Sequence, residues 1–249
     1  MKVLKRVVSS ESMAETDAKV REVVSEVISA VRERGDDAVR EYSRQFDNWA
    51  PESFRLSADE VERIVSTVDD EIIQDITWVQ NRVREFALLQ RECLLDLEVE
   101  TMPGVILGHR HNPIDSSGAY IPGGRYPLVA SAHMTIVTAK AAGVRRVTAC
   151  TPPIRGEIPV VTVAAMAMAG ADEIFIMGGV QAVAGLALGT QTIERVDLLA
   201  GPGNAYVAEA KRQLSGVVGI DLIAGPTEIL VLADDRADPL TVAVDLLSQ

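Results

Sequence analysis

Between Asp17 and Gly35 the chain reads DAKVREVVSEVISAVRERG, and Val20, Val23, Val24, Val27 and Val31 recur at the spacing of one helix face. Gly35 is a good stop. LSADEVERIV carries a capping box, Ser57 with Glu60, and Leu56 stands where it can staple onto Val61. A longer helix follows, with Ile72, Ile76, Val79, Val83 and Phe86 on one face. All of these apolar positions are expected in the core. Residues 1–100 therefore read as a helical N-terminal region.

After about residue 100 the pattern changes. GVILGHRH and GAYIPGG read as short strands that end in glycine or polar turns. Strands and helices then alternate. VRRVTACTPP, DEIFIMGG and RVDLLAGPGN are the strands; IPVVTVAAMAMAGA, VQAVAGLALG and AYVAEAKRQLSG are the helices. Apolar strands alternating with helices on this scale predict an α/β fold, a parallel sheet with helical cover. Residues 101–249 are assigned to that domain. Ligands of such sheets bind beyond the carboxyl ends of the strands. Three of those ends carry TPP, GGVQ and GPGN. Further on, DLIAGPTEILVLADD reads strand, turn, strand, and DPLTVAVDLLSQ begins a helix with Asp238 as N-cap and Pro239 in first position.

Composition narrows the partners. A formal charge of −12 over 249 residues argues against a nucleic-acid surface, which needs clustered Lys and Arg, and against an anionic membrane. No apolar stretch approaches the about 20 residues of a membrane span, and MKVLKRVVSSESMAETD turns polar too early for a signal peptide. A cytoplasmic protein is expected. Cys93 and Cys150 fit no metal or redox spacing and read as reduced core thiols.

The glycine turns hold the candidate chemistry, and each has a plain structural alternative. In GPGN the glycines let backbone amides approach an anion at a helix N-terminus, and Asn204 can cap the helix or bond a ligand. It is not the dinucleotide fingerprint, because Tyr206 stands where the last glycine belongs. Gln181 in GGVQ sits at the mouth of a second turn, where it could equally face water. Tyr120 precedes the Gly123-Gly124 pair, and a buried tyrosine is more often structural. His109 and His111 share a strand face, but no third metal ligand is evident nearby. Thr227 and Glu228 follow a Gly-Pro turn, as substrate contacts or as a routine turn.

Taken together, GAYIPGG, GGVQA, GPGNAYVAEAKRQ, IDLIAGPTEILVLAD and the terminal DLLSQ resemble the histidinol dehydrogenase family over roughly residues 105–249. The resemblance implies an incomplete Rossmann-like fold and a zinc-dependent homodimer. It also implies oxidation of a primary alcohol through the aldehyde to a carboxylate with two NAD. It assigns Tyr120, Gln181 and Asn204 to the cofactor, Thr227 to the substrate, and Gln249 to both zinc and substrate. The family's other zinc ligands and its Glu-His acid-base pair fall beyond Gln249. A zinc ion that polarises an alcohol and a base that takes its proton are both needed. The chain by itself is therefore expected to be inactive, the alternative being a non-catalytic nucleotide-binding fragment. LGHRHNPIDSSGAYIPGGRYPLVASAHM is closer to the branch that oxidises 2,3-dihydroxypropane-1-sulfonate, which tilts the expected substrate from histidinol towards a small anionic diol.

Overall fold

The computed structural model describes residues 10–123, 127–223 and 229–247, with side chains of the first helix from residue 17 onward. Two long N-terminal helices, α1 (Ser10–Arg34) and α2 (Asp36–Asp47), break at Gly35. Then come α3 (Ala58–Ser66) and α4 (Asp70–Glu92). Ser57 and Glu60 close the reciprocal capping box of α3, and Leu56 is buried with Val61 packed on the same cluster. An antiparallel hairpin, β1 (Leu97–Met102) and β2 (Val105–His109), stands apart from the main sheet.

The main sheet has five parallel strands: β3 (Ser116–Tyr120), β4 (Arg146–Thr151), β5 (Glu173–Ile176), β6 (Leu198–Ala200) and β7 (Gly219–Ile220). Their order is β5-β4-β3-β6-β7. The chain thus winds outward from β3 on one side, then returns to add β6 and β7 on the other. That is a doubly wound sheet with its switch point between β3 and β6. β4 and β5 are buried along nearly their whole length, not at alternate positions, because helices cover both of their faces.

The two faces have separate cores. On one, α1, α8 (Gly179–Leu188) and α9 (Ala205–Leu214) pack together, with α2 against α8. Val24, Val27 and Val31 of α1 lie in that core, as their spacing predicts. On the other face α7 (Val160–Ala169) packs with α3, α4 and a continuous helical run. This run consists of α5 (Val129–Ala132), a π turn over His133–Val137 and α6 (Thr138–Ala142). The turn brings His133 against Gln80 of α4, whose Nε2 lies 3.2 Å from His133 Nδ1 and donates to the Ala165 carbonyl at 2.9 Å.

Three expectations are corrected. The buried stripe of α4 runs through Ile76, Gln80 and the half-buried Val83, while Ile72 and Phe86 stay exposed; a buried glutamine displaces the stripe that apolar spacing suggests. Cys150 is a core thiol but Cys93 is exposed, because it caps the end of α4 rather than facing the sheet. Ile229–Asp234 forms no strand: it pairs with nothing among the described residues, and Leu230 and Leu232 are 89% and 95% exposed. Asp238 does cap α10 (Pro239–Leu247), accepting from the amides of Leu240 and Thr241 at 3.2 Å each.

Candidate functional site

The carboxyl ends of β3, β5 and β6 bring three side chains to one cleft. Tyr120 closes β3 with its ring buried, and its hydroxyl accepts from the Gly179 amide at 3.1 Å. Burial pushes the phenol's pKa up, so the group stays protonated. Gly179 opens α8 at φ +64°, and a Cβ there would lie 2.8 Å from Gln181 Oε1. Only glycine holds that conformation without strain and leaves the amide its room.

Gln181 lies in the first turn of α8 and is fully buried, which overturns the water-facing alternative. Its Nε2 donates to Asp47 Oδ2 at 2.9 Å, and its Oε1 has no hydrogen-bond partner among the described residues. Asp47 is the last residue of α2. Burial raises its pKa, partly offset by the Gln181 hydrogen bond. Asn204 caps α9, its Oδ1 accepting from Tyr206 and Val207 amides at 3.1 Å each. Capping thus occupies the oxygen of the Asn204 amide; the Nδ2 end is not engaged in the cap.

These residues line a cavity of about 560 Å³ together with Asp47, Gly123, Pro152 and Tyr206. Its volume is that of a pocket for a small organic ligand. The cavity runs across the carboxyl ends of β3, β4, β5 and β6, and so takes in the switch point. Tyr120, Gln181 and Asn204 therefore meet, as the turn positions predict.

Beneath the GPGN turn lies a clamp, built on the buried Lys211, that sequence reasoning missed. Gly201 runs at φ +127°, where a Cβ would meet the Tyr120 carbonyl oxygen at 2.1 Å. Its amide donates to Asp221 Oδ2 at 2.8 Å and its carbonyl accepts from Lys211 Nζ at 2.9 Å. Lys211 and Asp221 are also ion-paired with each other. A lysine placed seven positions after the cap, on the inner face of a helix, was the available signal. Asp47 was missed for a different reason: it lies 134 residues from its partner Gln181.

The two HRH histidines do not join the cleft. His109 and His111 stack edge to face with ring centroids 5.1 Å apart, and His109 Nε2 lies 3.1 Å from the Leu95 carbonyl. Among the described residues no three His, Cys, Asp or Glu side chains converge as a metal site. Thr227, Glu228 and Gln249, like Gly124 and Arg125 of the PGGR turn, lie outside the described residues.

The family model for histidinol dehydrogenase matches residues 10–249. The chain belongs to the histidinol dehydrogenase family. A histidinol dehydrogenase homolog of Shouchella clausii is 60% identical over 97% of this chain and 57% of its own length. The sulfopropanediol 3-dehydrogenase of Ruegeria pomeroyi is 44% identical over 92% of the chain and 53% of its own length. The histidinol dehydrogenase of Methanosarcina mazei is 41% identical over 93% and 54%. A crystal structure of histidinol dehydrogenase from Elizabethkingia anophelis superposes with a TM-score of 0.84 at 33% identity, covering 99% of this chain and 55% of that one. The chain thus spans about half the length of the histidinol dehydrogenase relatives it matches. Among the described residues no helix is long and apolar enough to cross a membrane.

Proposed function

We propose that this chain supplies the nucleotide-binding part of an NAD- and zinc-dependent dehydrogenase that takes a primary alcohol through the aldehyde to a carboxylate in a cytoplasmic homodimer. The observation that carries the reading is the cleft in which Tyr120, Gln181 and Asn204 meet. A buried amide oxygen is rarely left without a partner in a folded protein, and Gln181 Oε1, which has none among the described residues, fits a ligand donor group. NAD, when bound, accepts the hydride. The chain's own residues bind and orient it. The Tyr120 hydroxyl accepts one backbone amide and keeps its proton to donate. Gln181 offers its oxygen, and Asn204, with its oxygen committed to the cap, offers its amide protons.

For zinc the described residues supply no donor set, and Gln249, the proposed metal and substrate ligand, lies outside them with Thr227. Family relatives carry both substrate names, histidinol dehydrogenase and sulfopropanediol dehydrogenase. The stretch LGHRHNPIDSSGAYIPGGRYPLVASAHM resembles the sulfopropanediol branch, which favours a small anionic diol over histidinol. Assay of an enzyme of the relatives' full length carrying these residues, with both alcohols, tests the substrate; faster turnover of histidinol would contradict the diol. The nucleotide reading is tested by titrating NADH into the chain. Saturable binding weakened two- to twelvefold by Asn204→Ala is expected, the range of one lost hydrogen bond of about 0.5–1.5 kcal/mol. Unchanged affinity in the variant would remove Asn204 from the site.

A further inference from the structure

We infer that Asp47 is a positioning residue of the cleft: by accepting from Gln181 Nε2 it fixes that amide so that Oε1 is the end left for a ligand. The inference rests on the nucleotide reading above and goes one residue beyond it. A primary amide has two ends of opposite character, a donor and an acceptor, that nearly match in shape. Left alone, Gln181 could present either. The carboxylate of Asp47 accepts only, so the end 2.9 Å from it must be the NH₂ group. The opposite end is then the oxygen, buried and, among the described residues, without a partner beside Gly179, whose missing Cβ leaves the space it occupies.

The consequence is a stated chemistry for the ligand group. Gln181 accepts, while the neighbouring Tyr120 hydroxyl, already accepting from Gly179, has a proton to give. A group that both donates and accepts, such as a carboxamide or a ribose hydroxyl, satisfies the pair. Asp47 reaches this site from α2, at the end of the N-terminal helical pair, so that pair is tied to the cleft by a specific bond as well as by packing. Asp47 also lines the cavity itself, so a direct contact with the ligand is the competing role to be excluded.

The test is a double-mutant cycle on NADH affinity with Asp47→Ala, Gln181→Leu and both together, alongside the Gln181 side-chain amide resonances in ¹⁵N NMR spectra. Asp47→Ala is expected to weaken NADH binding two- to twelvefold, and to do nothing further in the Gln181→Leu background. Its Gln181 side-chain NH₂ signals should move, and Asp47→Asn, which keeps an acceptor oxygen, should restore most of the affinity. An equal loss in the Gln181→Leu background would make Asp47 a direct ligand contact and overturn the inference. Unmoved Gln181 amide resonances in Asp47→Ala would overturn it as well. If the wild-type chain binds no NADH, the nucleotide reading fails on its own, and the resonances still decide whether Asp47 holds the amide.

Discussion

Lys211 of α9 reaches back under the GPGN turn and donates from Nζ to the Gly201 carbonyl at 2.9 Å, with its own side chain 3% exposed. The Asp221 carboxylate, which takes the Gly201 amide, completes the clamp. A turn whose Gly201 conformation no other residue tolerates is thus held at both the amide and the carbonyl of that glycine. Lys211→Met keeps the apolar stem and removes the ammonium. It is expected to destabilise the fold by about 2–3 kcal/mol, because a charge-assisted bond is lost and Asp221 keeps only the Gly201 amide against its charge. The figure sits below that of a fully buried pair because Asp221 is 32% exposed. Urea unfolding measures it; a loss under half a kcal/mol would show the clamp to be inert.

Asn204 has a structural role in its oxygen and a proposed ligand role in its nitrogen. Substitution can separate them. Asn204→Ala removes the cap of α9 and is expected to cost about 1 kcal/mol. Asn204→Ser keeps an oxygen for the Tyr206 and Val207 amides, so stability should hold while NADH affinity drops. Thermal unfolding and nucleotide titration on both variants give the answer. Retained affinity in Asn204→Ser would reduce the residue to a cap.

Gly179→Ala should damage fold and site together. The φ of +64° costs a residue with a Cβ about 1–2 kcal/mol, and the added methyl group presses on Gln181 Oε1. The variant is expected to unfold at lower urea and to lose NADH binding beyond what Asn204→Ala loses. A variant of wild-type affinity would mean that Gln181 has room to spare.

His133 gives the fold a pH dependence of definite sign. Gln80 Nε2 can only donate, so His133 Nδ1 accepts, and the ring is neutral with its proton on Nε2. Burial lowers the ring's pKa below the ordinary 6.5. As pH falls through 6.5 the unfolded chain takes up a proton that the folded chain refuses, so stability falls with pH until the folded ring itself titrates. His133→Gln, which cannot titrate, should show a smaller difference between urea midpoints at pH 7.5 and pH 5.5. Equal differences in the two proteins would assign the effect to other groups.

Much of this was legible in the residues. Strands and helices from Arg146 to Leu214 follow the apolar runs because each strand is covered on both faces and each helix starts at a glycine, proline or asparagine. The Tyr120, Gln181 and Asn204 turns meet because parallel strands put all their carboxyl ends on one edge. What spacing could not reveal depends on distant partners. Gln80 is buried because His133 and the Ala165 carbonyl satisfy it, and Asp47 enters the site through a residue at the far side of the chain. The segment Ile229–Asp234 has the composition of a strand, yet a strand also needs a neighbour to pair with, which composition does not supply.

The central claim is that the cleft beside the switch point holds the dinucleotide. A crystal structure of the chain with NAD tests it most directly. The account predicts ligand density between Tyr120, Gln181 and Asn204, with a ligand donor atom within hydrogen-bond distance of Gln181 Oε1. Well-ordered NAD bound elsewhere on the chain, with that cleft holding only water, would contradict it.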